Sequence, residues 1–301
     1  MTTTPGPVSV ALWAVNLGRP LNGLKAWAAG IEAKMLEAKA AGAEILVVPE
    51  YASEQWLSFK PEGLKATEEI AWLADRADEA LALVAPLAER HGLALLAGTV
   101  PARHNGGFRN RAWMFLPDGR AIAQDKLCLT PGEHDPEGWY LEPGETLRLI
   151  DWRGLRIAIM ICLDIELPAM SAILARHEPD LILVPSMTSS LAGYSRVFGC
   201  AKARAVEVMA AVCAVGVVGA TPGATQNPAN TSGCAVFLPC EPALGYDGVF
   251  ASTAPVDGAE GDGPFLVARD IPLDRIAELR RGEAQVWPGA WRADRVEVVP
   301  A

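Results

Sequence analysis

Three polar residues of this chain each stand where a run of apolar residues stops. Glu50 follows Ile45 to Val48 in EILVVPEY, Lys126 closes AIAQDK, and Cys162 ends GLRIAIMIC. A thiol at a strand end, beside a turn whose N–H groups point outward, can be exposed and activated in a way a mid-strand thiol cannot. A carboxylate in a poorly hydrated pocket has its pKa raised far enough to accept the thiol proton. A lysine ammonium beside them stabilises the negative oxygen formed when a thiolate adds to a carbonyl carbon, or the nitrogen when it adds to a nitrile. Taken singly, each residue also fits an ordinary role. Proline ends strands and glutamate is a common loop residue, lysines close strands at surfaces, and most free cysteines are small buried hydrophobes, as Cys213 inside AAVCAVG is. Three such strand ends in one chain favour nucleophilic chemistry. None of the four histidines, His91, His104, His134 and His177, has comparable placement, which disfavours a Cys-His protease and favours a Glu-Lys-Cys hydrolase.

The elements that must carry these residues alternate along the chain. VSVALWAVNL reads as a strand, about 24–41 as a helix, and EILVVPE as the next strand. A second helix over about 67–90 carries Ile70, Leu73, Ala77, Leu81 and Val84 at spacings of three and four, with Pro86 expected to kink it or end it early. LALLAGTV leads to NRAWMFL and RAIAQDK, two strands joined by a turn containing Asp118 and Gly119. TLRLIDWRGLRIAIMIC reads as two strands around an Arg153-Gly154 turn, followed by helices near 170–177 and 193–207 and strands at DLILVPS and 208–219. GCAVFLP and FLVARDIP are further strands, DRIAELRRG a short helix, and 240–264 an irregular excursion. EILVVPE and DLILVPS share one pattern: acidic, apolar, proline, polar. The alternation and this echo suggest two similar α/β halves packed together, although two apolar strands also match by chance.

Half of the 301 residues are hydrophobic and 21% are charged, enough for a large core. The formal charge of −10 argues against a nucleic-acid or anionic-membrane partner, since both call for a basic surface. The start, MTTTPGPVSVALW, lacks the basic front of a secretory signal, and the most apolar stretch, Val208 to Gly219, is shorter than the roughly 20 residues that cross a bilayer. The expectation is a cytoplasmic protein with no membrane partner. Its six cysteines form no CxxC pair and no zinc-spaced set with histidine, so neither disulfides nor a metal site are expected.

The chain resembles the nitrilase superfamily of carbon-nitrogen hydrolases over nearly its whole length. ILVVPE around Glu50, DKLCLTPGE around Lys126 and RIAIMICLDIELP around Cys162 carry the resemblance, supported by LLAGTV, NRAWMFLPDGR, DLILVPS, AKARAVEV and SGCAVFLP. It implies a four-layer α-β-β-α sandwich as a single domain over residues 1–301, paired into homodimers or larger homo-oligomers. It further implies Glu50 as general base, Lys126 as stabiliser of the tetrahedral intermediate, Cys162 as nucleophile, and the Leu163 backbone N–H as an oxyanion donor. Glu133, in the loop after Lys126, takes the place of a second glutamate that orients substrate and lysine, with Glu137 a competing candidate. No metal or organic cofactor is required. After the cysteine this chain departs from the family pattern: Leu163, Glu166, Leu167 and Ala169 replace an aromatic, Arg, an aromatic and Glu, while Asp164 and Pro168 are kept. The acid in CLD leans toward amides.

The expected activity is hydrolysis of a small amide or N-carbamoyl compound through a thioester, with a nitrile as the near alternative. Tyr51, Trp139, Tyr140 and Met187 lie near the motifs and are candidates to line the substrate pocket, though each also fits core packing. A catalytically silent oligomeric scaffold or ligand-binding module is the alternative of another class. The intact Glu, Lys and Cys argue against it. A thiol redox protein fares worst, because Cys162 has no resolving cysteine near it in sequence.

Overall fold

The computed structural model describes residues 5–225, 227–258, 261–284 and 296–299. In chain order the elements are β1 (Val8–Trp13), α1 (Leu24–Ala40), β2 (Ile45–Val48), a 3-10 helix (Ala52–Phe59), α2 (Ala66–His91), β3 (Ala94–His104), β4 (Gly107–Phe115) and β5 (Ala121–Asp125). A 3-10 turn (Pro131–His134) leads to β6 (Leu149–Trp152), β7 (Leu155–Ile159), α3 (Leu163–Glu166), α4 (Pro168–Ala175), β8 (Leu181–Ser186), α5 (Leu191–Val208) and β9 (Ala211–Gly216). The chain continues through β10 (Cys234–Phe237), β11 (Val249–Ser252), β12 (Phe265–Ile271) and α6 (Leu273–Glu278).

Two six-stranded sheets result, ordered β12-β1-β2-β3-β4-β5 and β11-β10-β9-β8-β7-β6. In the first, β1, β2 and β3 run parallel, β4 and β5 return antiparallel, and β12 pairs antiparallel with β1. In the second, β7, β8 and β9 run parallel, β10 and β11 return antiparallel, and β6 pairs antiparallel with β7. The sheets repeat one plan. EILVVPE and DLILVPS are the middle strands, β2 and β8, of the two parallel trios, so their matching pattern reflects matching positions.

The strands read as continuous apolar runs because both faces of each sheet are covered. Along β1 and β2, Val10, Leu12, Ile45 and Val47 point into the core between the sheets, while Ala11, Trp13, Leu46 and Val48 pack with α1 and α2. Helix α1 buries Trp27, Ile31, Met35 and Ala38 on one stripe. On the far side α5 covers β9 and β10, completing four layers. Each fully buried Leu, Ile or Val contributes about 1.5–3 kcal/mol, and these strands carry little else.

Three expectations are corrected. Pro86 lies inside α2, which runs on to His91, so it does not end the helix early. The carbonyl it leaves without a partner, at Ala82, is on the exposed face where water can reach it, and buried Val84, Leu87 and Ala88 hold the helix to the sheet. The strand expected at 208–219 is confined to Ala211–Gly216, because Val208 still belongs to α5 and Met209 caps it in a left-handed conformation (φ 54°). The excursion at 240–264 contains a strand, β11, whose residues are mostly exposed and so lack an apolar signal. Residues 259–260 of that excursion, and residue 226 of the loop 221–231, lie outside the described residues. Among the described residues no helix is long and apolar enough to cross a membrane.

Candidate active site

Glu50 lies two residues past the end of β2, Lys126 one past β5, and Cys162 three past β7. The first two therefore come from one sheet and the third from the other. Behind Glu50 the chain turns through Tyr51 in a left-handed conformation (φ 50°), with the Tyr51 N–H donating to Thr99 Oγ1 at 2.9 Å and Ser53 Oγ to the Thr99 carbonyl at 3.0 Å. Gly98 precedes that threonine at φ 74°, and a Cβ there would collide with the Pro49 carbonyl oxygen. AGTV is thus shaped by the turn that presents Glu50. Lys126 is set by its N–H on the Asn110 carbonyl (2.8 Å) and by the Gly144 N–H on its own carbonyl (2.7 Å).

Cys162 occupies φ 48°, ψ −106°, a region that costs a non-glycine residue about 1–3 kcal/mol. Its N–H donates to the Pro185 carbonyl (3.0 Å), and its carbonyl accepts from Ile165 N–H (3.1 Å). Helix α3 starts at Leu163, so the Leu163 N–H belongs to the donor end of a helical turn. From α5, the buried Arg204 donates to the carbonyls of Ile165 and Glu166, both at 3.1 Å, and closes the other end of that turn. The Glu166 carboxylate, where the family pattern has Arg, accepts from Arg196 at 3.1 Å.

The side chains converge. Lys126 Nζ donates to Glu50 Oε1 at 2.8 Å and to Glu133 Oε2 at 2.7 Å, with all three groups buried. Asn110 Nδ2 donates to Glu50 Oε1 at 2.8 Å and reaches Glu133 Oε1 at 3.3 Å. Glu133 also accepts from Thr130 N–H (2.9 Å), Thr130 Oγ1 (3.1 Å) and the Tyr51 hydroxyl (3.3 Å). Cys162 Sγ donates to the Met187 carbonyl at 3.5 Å and lies near enough to Glu50 to act on its pKa.

Electrostatics sort the roles these groups can take. Burial drives the Glu50 carboxyl up to about 7, against the pull of the Lys126 ammonium. Burial acts on Glu133 in the same sense, but Lys126 and Thr130 outweigh it and hold Glu133 below the usual carboxylate range. Burial alone would lower Lys126, yet Glu50 and Glu133 keep it well above its ordinary value. Burial and then the Glu50 charge push the Cys162 thiol well up. Near neutral pH the site holds a thiol, an ammonium, an ionised Glu133 and a Glu50 close to its midpoint, the last being what a general base at that pH requires.

One pocket is lined by Glu50, Tyr51, Lys126, Thr130, Gly132, Glu133, Trp139, Cys162, Met187 and Asn227. Three of the four candidate lining residues, Tyr51, Trp139 and Met187, are on it. Tyr140 is 60% exposed and is not, a correction with a simple cause. Trp139 and Leu141 on either side of it are buried, Trp139 edge-on to Tyr51 at 5.0 Å, so the residue between them turns outward. Glu137 sits exposed in a turn, its N–H on Asp135 Oδ1, whereas Glu133 faces the lysine. Sequence reasoning missed Asn110, Thr130 and Asn227. The available signal for Asn110 was a lone amide in a strand flanked by arginines.

Residues 14–242 match the sequence model of the carbon-nitrogen hydrolase family. The chain belongs to this family. As a carbon-nitrogen hydrolase it is similar to a probable hydrolase of Bacillus subtilis, with 27% identity over 241 residues covering 80% of this chain and 45% of that protein. It thus spans less than half the length of that relative. An omega-amidase of Xenopus laevis is 25% identical over 250 residues, 81% of this chain and 82% of the relative. In structure the chain resembles an amidase from Nesterenkonia sp. AN1, solved as a mutant carrying the acetamide moiety of fluoroacetamide on its active-site cysteine. The TM-score is 0.69 at 22% identity, covering 94% of this chain and 97% of the other. That likeness shows the shared fold, two sheets flanked by helices.

Proposed function

We propose that this chain hydrolyses the carbon-nitrogen bond of a small amide or N-carbamoyl compound through a thioester on Cys162, as one catalytic domain over residues 1–301. The observation that carries the reading is the convergence of Glu50, Lys126, Glu133 and Cys162 on one pocket, with the Glu50 pKa at about 7. Glu50 takes the Sγ proton as sulfur bonds to the carbonyl carbon. The displaced electron pair goes to the oxygen, which the Lys126 ammonium and the Leu163 N–H stabilise. Collapse of that intermediate expels ammonia or an amine, which takes the proton back from Glu50. Water, deprotonated by Glu50, then attacks the thioester, and the acid and the free thiol result. Glu133 holds Lys126 in place, and Tyr51, Trp139 and Met187 bound the substrate. Amidases among the relatives, including an (R)-stereoselective amidase of Pseudomonas sp. at 35% identity over 81 residues, favour an amide over a nitrile. Exposed Leu167 and Ile173 with Leu191 at the start of α5 favour a homodimer or larger homo-oligomer.

The test is ammonia release from acetamide, butyramide, N-carbamoyl-β-alanine and propionitrile, with Cys162→Ala as control and mass spectrometry of acid-quenched enzyme for an acyl adduct. Turnover of the amides or the carbamoyl compound, an adduct on Cys162 and no turnover by Cys162→Ala are expected. Preference for propionitrile would replace the amidase reading with a nitrilase. Turnover surviving in Cys162→Ala would overturn the mechanism.

A further inference from the structure

The hydrolysis proposed above needs Lys126 and Cys162 held at a fixed separation, yet the two residues follow strands of different sheets. The sheets meet mainly through apolar side chains, whose packing is non-directional and does not by itself fix such a distance. Asp164 supplies a directional link. It is fully buried, in the first turn after the nucleophile. Its Oδ2 accepts the N–H of Ile161 at 3.0 Å, the residue before Cys162. Its Oδ1 accepts the N–H of Cys128 at 2.8 Å and of Leu127 at 3.2 Å, the two residues that follow Lys126. One carboxylate therefore spans from the nucleophile turn of one sheet to the lysine segment of the other.

We propose that Asp164 is a positioning residue, a carboxylate clamp that holds the Lys126 segment against the Cys162 turn. It touches neither substrate nor the reacting atoms. Only an acceptor at both ends can do this, because the groups it hydrogen-bonds are donors, three backbone N–H groups and the Cys128 thiol. Asparagine has the same shape but turns an NH₂ toward either Ile161 or the Leu127–Cys128 pair, so half of the clamp becomes donor against donor. A displacement of about 1 Å at a reacting group costs on the order of 100-fold in rate. The inference rests on the proposed hydrolase reading for its consequence, though not for its geometry.

The experiment compares wild type, Asp164→Asn and Asp164→Glu on an amide that wild type turns over, with rates normalised to the amount of alkylatable Cys162. Asp164→Asn is expected to lower kcat by about 10- to 100-fold with KM within about 2-fold, and Asp164→Glu, which restores the acceptor, to recover part of the loss. In parallel, hydrogen–deuterium exchange on the wild type should show the Leu127 and Cys128 amides protected, and on Asp164→Asn that protection lost while β7 stays protected. A residue that served stability alone would lower the active fraction and leave kcat per active site unchanged, which would overturn the proposal. So would exchange at Leu127 and Cys128 in the wild type at the rate of an exposed loop, a result that needs no variant to fold. If wild type turns over no amide, the hydrolase reading fails separately, and the clamp is judged by exchange and by the alkylation rate of Cys162.

Discussion

Asn110 donates to Glu50 at 2.8 Å from within β4, a strand that carries none of the reacting groups. The bond favours the ionised carboxylate, so it opposes the burial that raises Glu50. Replacing Asn110 with Leu removes a donor to a charged group, worth about 1.5–3 kcal/mol, and moves the Glu50 pKa up by about one to two units. The acid limb of kcat/KM should shift to higher pH by that amount, and a pH profile of the variant reads it directly. An unmoved limb would mean that Glu50 is not the group titrating there.

Lys126→Met leaves Glu50 and Glu133 buried without their shared cation. Removing one partner from a buried ionic group costs about 3–5 kcal/mol, and, on the proposed mechanism, losing the cation beside the developing oxyanion costs about 100- to 1000-fold in kcat. Urea denaturation at pH 7 should show the stability loss. At pH 5 the loss should shrink, because the stranded carboxyls take up protons there.

Glu54 is fully buried on the 3-10 helix after Glu50, and its Oε1 has no hydrogen-bond partner among the described residues. Burial first, and then the charge of Glu69, push it up to about 8, against a weak bond from Asn227. A carboxyl raised above its unfolded value of 4.5 binds its proton more tightly when folded. Its contribution is present below about pH 4.5 and is lost as pH rises toward 8. Glu54→Gln removes that loss. The variant should melt within a degree or so of wild type at pH 5 and clearly above it at pH 8 to 9, as thermal scans across pH would show.

Gly98→Ala forces a side chain onto a residue at φ 74° and against the Pro49 carbonyl. The expected cost is about 1–3 kcal/mol with a several-fold fall in kcat, since Pro49 carries Glu50 with it. Gly92→Ala is the control. It caps α2 at φ 62° with open space around it, so it should cost about 1 kcal/mol and leave kcat unchanged. Thermal melts and initial rates on both variants separate strain at the site from strain alone.

Much of this molecule could be read along the chain. Strands covered on both faces must be apolar throughout, which is why β1, β2, β7, β8 and β9 stood out, and the buried stripe of α1 has to recur at helical spacing. Glu50, Lys126 and Cys162 were legible because each interrupts such a run where the chain leaves the sheet. The 3-10 helix at Ala52–Phe59 and the exposed strand β11 lack a periodic apolar face, so nothing local announced them. Asn110 and Asp164 look like ordinary polar residues, since their partners, Glu50 and the Leu127–Cys128 amides, are 60 and 36 to 37 positions away. Burial patterns depend on local periodicity and survive in a one-dimensional record. The pKa of Glu50 and the choice of Glu133 over Glu137 depend on which donors and charges one sheet and its loops bring within about 3 Å, and the Asp164 contacts depend on how the second sheet meets it; only the packed structure decides that.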